Sequence, residues 1–324
     1  MNKRKRNKII TIGVISGITA TIGATAIACK LLFSVAVKRK TVNFPEKIQD
    51  RLSGGLKSDP RAKSMLAAAD YAKSLETEKV KITSHDNLTL TGHIYHLENA
   101  KRIVIAMHGW RSSWHVDFGC TTEFYHNNGC IMVYPDQRGQ NESEGEYIGF
   151  GVLERHDCLN WIKYVNERFG DTLPIYLLGV SMGASTVLMA SGFDLPDSVK
   201  GIIADCGFTS PRKIWEHVIK NNLKMSGKVA YPIVNAICKR EAQFDGEEFS
   251  TTEALAKNQK PVLFIHGGGD GFVPIQMTFE NYLACTAPKE LLVVPGAGHG
   301  MSYITDSEAY MKAVKSFFKS CESN

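Results

Sequence analysis

No two of the eight cysteines form a C-x-x-C pair, and none falls at a metal-ligand spacing, so a metal centre built on cysteine is excluded. With Cys29 in an N-terminal apolar run, seven cysteines remain in the rest of the chain, an odd number that argues against a complete disulfide framework. Cys130 and Cys206 sit in or beside apolar strand patterns and read as small buried residues. Strong charge of one sign is also missing. The net charge is +5, much of it at the N-terminus, and this excludes a broad nucleic-acid surface. Beyond the N-terminus there is neither an internal repeat nor a low-complexity tract. Asp/His clusters at metal spacing are absent too, so no metal or organic cofactor is expected. What is present in quantity is apolar material. At 324 residues and 44% hydrophobic, the chain can bury one large core, and an α/β domain of this length need not split.

The N-terminus carries its own pattern. The basic cluster Lys3-Arg4-Lys5-Arg6-Asn7-Lys8 precedes a charge-free run from Ile9 to Cys29, long enough to cross a bilayer as a helix. A cleaved signal peptide is the alternative, since small residues around Ala24, Ala26 and Ala28 also fit cleavage. Ala26-Ile27-Ala28-Cys29 resembles a lipoprotein box but lacks the usual branched residue three before the cysteine. A second apolar run, Leu31 to Val37, favours an uncleaved anchor, so residues 1–40 are expected to form a basic N-terminus and transmembrane anchor. Lys3, Arg4, Lys5, Arg6 and Lys8 outnumber Lys30, Lys38, Arg39 and Lys40, which favours the N-terminus inside and the rest outside the cell membrane. The odd cysteine count pulls toward a reducing compartment, and signal cleavage would give a secreted protein. Residues 41–78, with Pro45, Gly54-Gly55 and Pro60, read as a linker leading to a helix over Arg61 to Leu75.

From residue 79 the periodicity changes. Lys79 to Ser84 and Leu88 to Tyr95 alternate around the turn signal Asp86-Asn87, a β-hairpin. Continuous apolar runs follow at Arg102 to His108, Cys130 to Pro135, Pro174 to Val180, Val199 to Asp205, Pro261 to His266 and Glu290 to Val294. Helical patterns over Phe118 to Asn128 and Leu153 to Phe169 lie between them. Such strands alternating with helices predict a mainly parallel central sheet covered on both faces. Residues 211–258 break the rhythm with helix-like Arg212 to Leu223 and Tyr231 to Arg240. A connection this long suggests a small helical cap on the active-site side, with a plain surface helix pair as the alternative.

The chemistry centres on Gly179-Val180-Ser181-Met182-Gly183, a G-x-S-x-G set where a buried strand turns into a helix. Glycine on both sides lets the turn tighten and hold the serine oxygen out at a helix N-terminus, where N–H groups and the helix dipole favour negative charge. A serine hydroxyl needs a base, and the base needs an orienting group. Downstream, Asp270 falls in the glycine-rich loop after the 261–266 strand, and His299 falls just past the last strand. Strand carboxyl ends are where open α/β sheets build their sites. His299 is therefore the candidate base and Asp270 its carboxylate, with Asp205 as the rival acid. The oxyanion donors are expected to be the N–H groups of Met182 and of Trp110, in the loop His108-Gly109-Trp110-Arg111. His108 precedes the nucleophile and is expected to pack under that loop.

These motifs, together with Tyr134-Pro135-Asp136-Gln137-Arg138-Gly139 and its continuation to Gly145, stand in one order. In that order the chain, from about residue 79 to the C-terminus, resembles the α/β-hydrolase superfamily. Within it the chain is most similar to the branch of serine aminopeptidase-like and fungal bud-emergence-type hydrolases that are membrane-anchored or secreted. The resemblance implies an α/β-hydrolase fold over residues 79–324 with a cap at about 211–258. It also implies a catalytic triad of Ser181, Asp270 and His299, and a structural role for the 135–139 turn. The expected activity is hydrolysis of carboxylic esters through an acyl-serine. A peptidase or amidase is the alternative on the same triad, and a non-catalytic binding protein is a third reading. Glu241, Asp245, Glu247 and Glu248 in the cap could receive a substrate's amino terminus, or form a solvated charged loop. The expected partners are a small ester or peptide substrate and, through the N-terminal helix, the membrane.

Overall fold

A computed structural model describes residues 23–40, 61–222 and 224–323. Its centre is an eight-stranded sheet in the order β1-β2-β4-β3-β5-β6-β7-β8. The strands are β1 (Glu78–Thr83), β2 (Thr89–Tyr95), β3 (Arg102–Met107), β4 (Cys130–Pro135), β5 (Ile175–Val180), β6 (Val199–Asp205), β7 (Val262–Gly267) and β8 (Lys289–Val294). The hairpin β1–β2 is antiparallel and β2 joins β4 antiparallel. Every pairing from β4 to β8 is parallel. The six parallel strands match the continuous apolar runs; β3 to β7 are buried on both faces, as such runs demand, while the edge strand β8 is only partly covered.

Side chains that alternate along a strand feed two separate cores. Ile103, Ile105 and Met107 of β3 point to one face, packing with Trp161 of α4 (Glu154–Phe169) and Val187 of α5 (Met182–Ala190). Val104 and Ala106 point to the other face. There they meet Phe118 of α2 (Trp114–Phe118), Tyr125 of α3 (Thr122–Asn127) and Phe317 of α11 (Ser307–Glu322). A helix α1 (Ala62–Lys73) lies against α2, within the span expected for it. The helix expected over Phe118 to Asn128 is broken in two. Thr121 and Thr122 both turn their hydroxyls onto the Phe118 carbonyl, at 3.1 and 2.8 Å, and divert it from helix propagation.

Between β6 and β7 the chain forms α6 (Pro211–Asn221), α7 (Gly227–Ile237), a π-helical turn (Cys238–Ala242) and α8 (Thr251–Leu255). Helix α6 starts with Ser210, whose hydroxyl accepts the Lys213 N–H, and Pro211 at the first position, where its missing donor costs nothing. After β7 come α9 (Ile275–Ala284) and, beyond β8, the short α10 (Ser302–Thr305). Sequence periodicity had not delimited α9 or α11.

The described residues do not support the N-terminal expectation. Most of the predicted span, residues 9–22, lies outside the described residues, as does most of the 41–78 linker. Among the described residues no helix is long and apolar enough to cross a membrane. Residues 23–36 are helical, but Cys29, Phe33 and Val37 are wholly buried against the protein itself, in a cluster with Trp215, Tyr231 and Val234 of α6 and α7. The Leu31 to Val37 run thus contributes its apolar side to an internal core. All eight cysteines are unpaired, and Cys130 and Cys206 are buried.

Candidate active site

The parallel register brings five loops to one edge of the sheet. Met107 of β3 lies beside Gly179 of β5, Val180 beside Asp205 of β6, and Gly267 of β7 beside Val294 of β8. The segments that follow these strands carry Trp110, Ser181, Cys206, Asp270 and His299.

Ser181 has φ 56° and ψ −116°, a left-handed conformation that a non-glycine residue adopts at a cost of about 1–3 kcal/mol. Three features sustain it. Its N–H donates to the Asp205 carbonyl at 2.9 Å. A Cβ on Gly183 would stand 1.8 Å from the Met107 carbonyl oxygen, and one on Gly179 would stand 2.3 Å from the Gly183 carbonyl carbon. Strand and helix therefore approach as closely as glycine alone permits. The turn presents Oγ to His299, whose Nε2 is 2.8 Å away. His299 Nδ1 is 2.7 Å from Asp270 Oδ2. The other Asp270 oxygen accepts the N–H groups of Phe272 and Val273 at 2.8 and 2.9 Å.

Electrostatics follow the geometry. Burial works against charge on Asp270, but His299 and His266 outweigh it and hold the carboxyl well below the usual carboxylate range. Burial likewise opposes charge on His299. The Asp270 carboxylate and then the Cys206 sulfur outweigh it, and the imidazole is raised well above its ordinary value. The rival acid behaves differently. Asp205 is pushed up to about 6 by burial, and its Oδ1 accepts the Ser302 hydroxyl at 3.0 Å. Asp270, not Asp205, reaches His299.

His108 is wholly buried. Its Nδ1 meets the Gly109 carbonyl at 2.8 Å and its Nε2 accepts the Gln137 N–H at 3.1 Å, so both nitrogens are spent beneath the loop. Arg138 forks onto Asp157, both contacts at 2.6 Å, and also onto Asp86; the 135–139 turn is scaffolding. Among the described residues no protein acceptor takes the N–H of Trp110 or of Met182, and both residues border the space at Ser181. The neighbouring Gly109 N–H is engaged by Asp117 at 2.6 Å, and the Arg111 N–H by Gln140. Asp117, Gln140, Arg111 and His266 are supporting residues that the sequence did not single out.

Two spaces flank Ser181. On one side is a cavity of about 80 Å³ lined by Trp110, Phe150, Phe208, Trp215 and other apolar residues from α6 and α7. Besides the Ser181 hydroxyl, its lining carries two indole donors and no charged side chain; Trp110 Nε1 is used by the Ala36 carbonyl, while Trp215 Nε1 has no protein acceptor among the described residues. On the other side is an open groove of about 370 Å³ lined by Gly109, Ser112, Asn141 and His299. The acidic residues of the insertion are spent elsewhere. Glu241 pairs with Lys38, Asp245 with Lys239, Glu247 with Arg212 and Glu248 with Arg155.

A parallel sheet with a strained serine at the β5–α5 turn defines the class: this is an α/β-hydrolase. Residues 114–324, well over half of the chain, match the family model described as prolyl oligopeptidase family, and the chain belongs to that family. It is 27% identical over 187 residues to the uncharacterized protein YqkD of Bacillus subtilis, a match spanning 58% of this chain and 61% of YqkD. Among solved structures it is similar to the esterase Pf2001 of Pyrococcus furiosus. That likeness has TM-score 0.64 and 23% identity, covering 77% of this chain and 92% of that one. It also superposes on a puromycin-hydrolyzing peptidase of Mycobacterium tuberculosis, with TM-score 0.54 and 16% identity over 75% of this chain and 38% of the other.

Proposed function

We propose that the chain is a serine esterase acting on carboxylic esters. The observation that carries this is the continuous hydrogen-bonded path from Ser181 Oγ through His299 to Asp270, at 2.8 and 2.7 Å. His299 Nε2 takes the Ser181 proton as Oγ attacks the acyl carbon. Asp270 holds the imidazole with its proton on Nδ1 and stabilises the imidazolium that forms. The N–H groups of Trp110 and Met182 receive the oxyanion. His299 then returns its proton to the leaving alcohol. A water deprotonated by His299 attacks the acyl-serine, and His299 passes that proton to Ser181 Oγ as the acid is released.

A peptidase on the same triad is the second reading, favoured by the family match and by the polar groove beside His299. Against it, the acidic residues once considered for an amino terminus are all paired away from the apolar cavity. Hydrolysis of p-nitrophenyl esters by the full chain and by Ser181→Ala separates the readings. A loss of several orders of magnitude supports the esterase. Equal activity in both sinks Ser181 as nucleophile. Fluorophosphonate labelling of Ser181 without ester turnover moves the assignment to peptides.

A further inference from the structure

The apolar cavity beside Ser181 is not built by the hydrolase fold and its insertion alone. Leu32, Val35 and Ala36, from the helical residues 23–36, form one of its walls. This segment is tied down by main-chain and side-chain bonds to the loops around the site. Ile148 donates to the Val37 carbonyl at 2.7 Å, and the Arg39 N–H donates to the Glu146 carbonyl at 2.8 Å, a short stretch of strand-like pairing. The Arg39 side chain reaches the Asn141 carbonyl at 2.7 Å.

The remaining ties run to the loop that carries the Trp110 N–H. The Trp110 indole donates to the Ala36 carbonyl at 2.8 Å. Arg111 Nε and Nη2 both donate to the Val35 carbonyl, at 2.9 and 2.7 Å, and the guanidinium also reaches the carbonyls of Lys38 and Arg39. These carbonyls lie at the C-terminal end of the helix, the negative end of its dipole, where a cation is stabilised. Among the described residues no carboxylate pairs with Arg111. Its charge is balanced by helix-end carbonyls. The loop residue that positions the oxyanion donor and the wall of the cavity are thus one hydrogen-bonded unit.

We propose that residues 32–39 are an integral part of the active site. Leu32, Val35 and Ala36 form the wall that selects an apolar acyl group, and Arg111 is the positioning residue that latches this wall to the Trp110 loop. The inference rests on the esterase reading and names its substrate class: an ester whose acid part is apolar and compact, with the alcohol directed into the polar groove. A charged or amino-bearing acyl group would lose its hydration in this cavity and find no counter-charge there.

The test uses the full chain with p-nitrophenyl acetate, hexanoate and octanoate, each rate normalised to Ser181 titrated by a fluorophosphonate probe. Each buried methylene raises kcat/KM by about fourfold, so the wild type is expected to favour hexanoate over acetate. Ala36→Trp should lower the hexanoate-to-acetate ratio at least about tenfold, and Leu32→Ala should shift the preference toward octanoate. Arg111→Met should lower kcat for acetate about tenfold or more, with a smaller change in KM, because the oxyanion donor loses its position. Leu32→Ala keeps the test decisive if Ala36→Trp does not fold. Unchanged chain-length profiles in both wall variants, with activity still abolished in Ser181→Ala, would overturn the wall assignment and leave the esterase standing. Wild-type protein that neither hydrolyses esters nor takes the probe would overturn the esterase reading, and this inference with it.

Discussion

Replacing Asp270 by asparagine is the most informative single perturbation, because the surrounding bonds dictate how the amide must sit. Oδ1 of Asp270 accepts two backbone N–H groups, from Phe272 and Val273. In Asp270→Asn that position must keep the oxygen, since an amide NH₂ facing two donors would leave all of them unpaired. The amide nitrogen then occupies the place of Oδ2, 2.7 Å from His299 Nδ1. Nδ1 becomes an acceptor, the imidazole proton moves to Nε2, and Nε2 can no longer take the proton from Ser181. Wrong tautomer and lost carboxylate together are expected to cost about 10⁴ in kcat, or about 5 kcal/mol of barrier. Side-chain volume is unchanged, so the variant should fold and keep its KM within a few-fold. The assay is kcat for p-nitrophenyl acetate across pH, with the Asp205→Asn protein in parallel. A loss below tenfold in Asp270→Asn, or a larger loss in Asp205→Asn, would refute the assignment of the acid.

Further outcomes follow from the same geometry. His299 must be neutral to act as base and its pKa is raised, so kcat/KM should fall on acidification with a midpoint above the ordinary 6.5. A pH–rate profile with its acid limb below that value would contradict the His299–Asp270 pairing. Gly183→Ala puts a Cβ 1.8 Å from the Met107 carbonyl oxygen, a backbone atom with nowhere to go. It should destabilise the fold by about 3 kcal/mol or more, seen as a lower urea midpoint, and lower kcat about a hundredfold in whatever folds. Asp205, whose carboxyl pKa is about 6 when buried and 3.8 when free, binds its proton more tightly in the folded state. That contribution favours folding at acid pH and is lost as pH rises through about 6. Asp205→Asn removes it, so the variant's stability relative to wild type should improve by up to about 3 kcal/mol between pH 4 and pH 8. A constant difference across that range in thermal melts would count against it.

The sheet was legible because burial on both faces leaves continuous apolar runs, and the grouping of Ser181, His299 and Asp270 because they fall in order just past strand ends. Three kinds of feature escaped. The role of Arg111 depends on carbonyls more than 70 positions earlier in the chain, and no local pattern records a bond to main-chain oxygen. The run from Leu31 to Val37 was misread for a different reason. Hydropathy reports that a side chain avoids water, and it reads the same whether lipid or Trp215 replaces the water. Helix breaks are the third case. The Phe118 to Asn128 pattern has a helical period, and the C-cap at Gly119 and the competing hydroxyls of Thr121 and Thr122 interrupt it.

The packing of residues 29–37 also sets an order of events during synthesis. Cys29 touches Ala230, a separation of 201 residues, and its neighbours Phe33 and Val37 join the same cluster. At roughly 5–20 residues per second, a ribosome needs about 10–40 s to supply that partner. Through this interval the apolar segment around Cys29 has no native surface to cover it. The last strand, and the loop after it that carries His299, are made later still. The segment that walls the cavity can dock only once the helices that roof it exist, so the site closes from both ends of the chain late in folding.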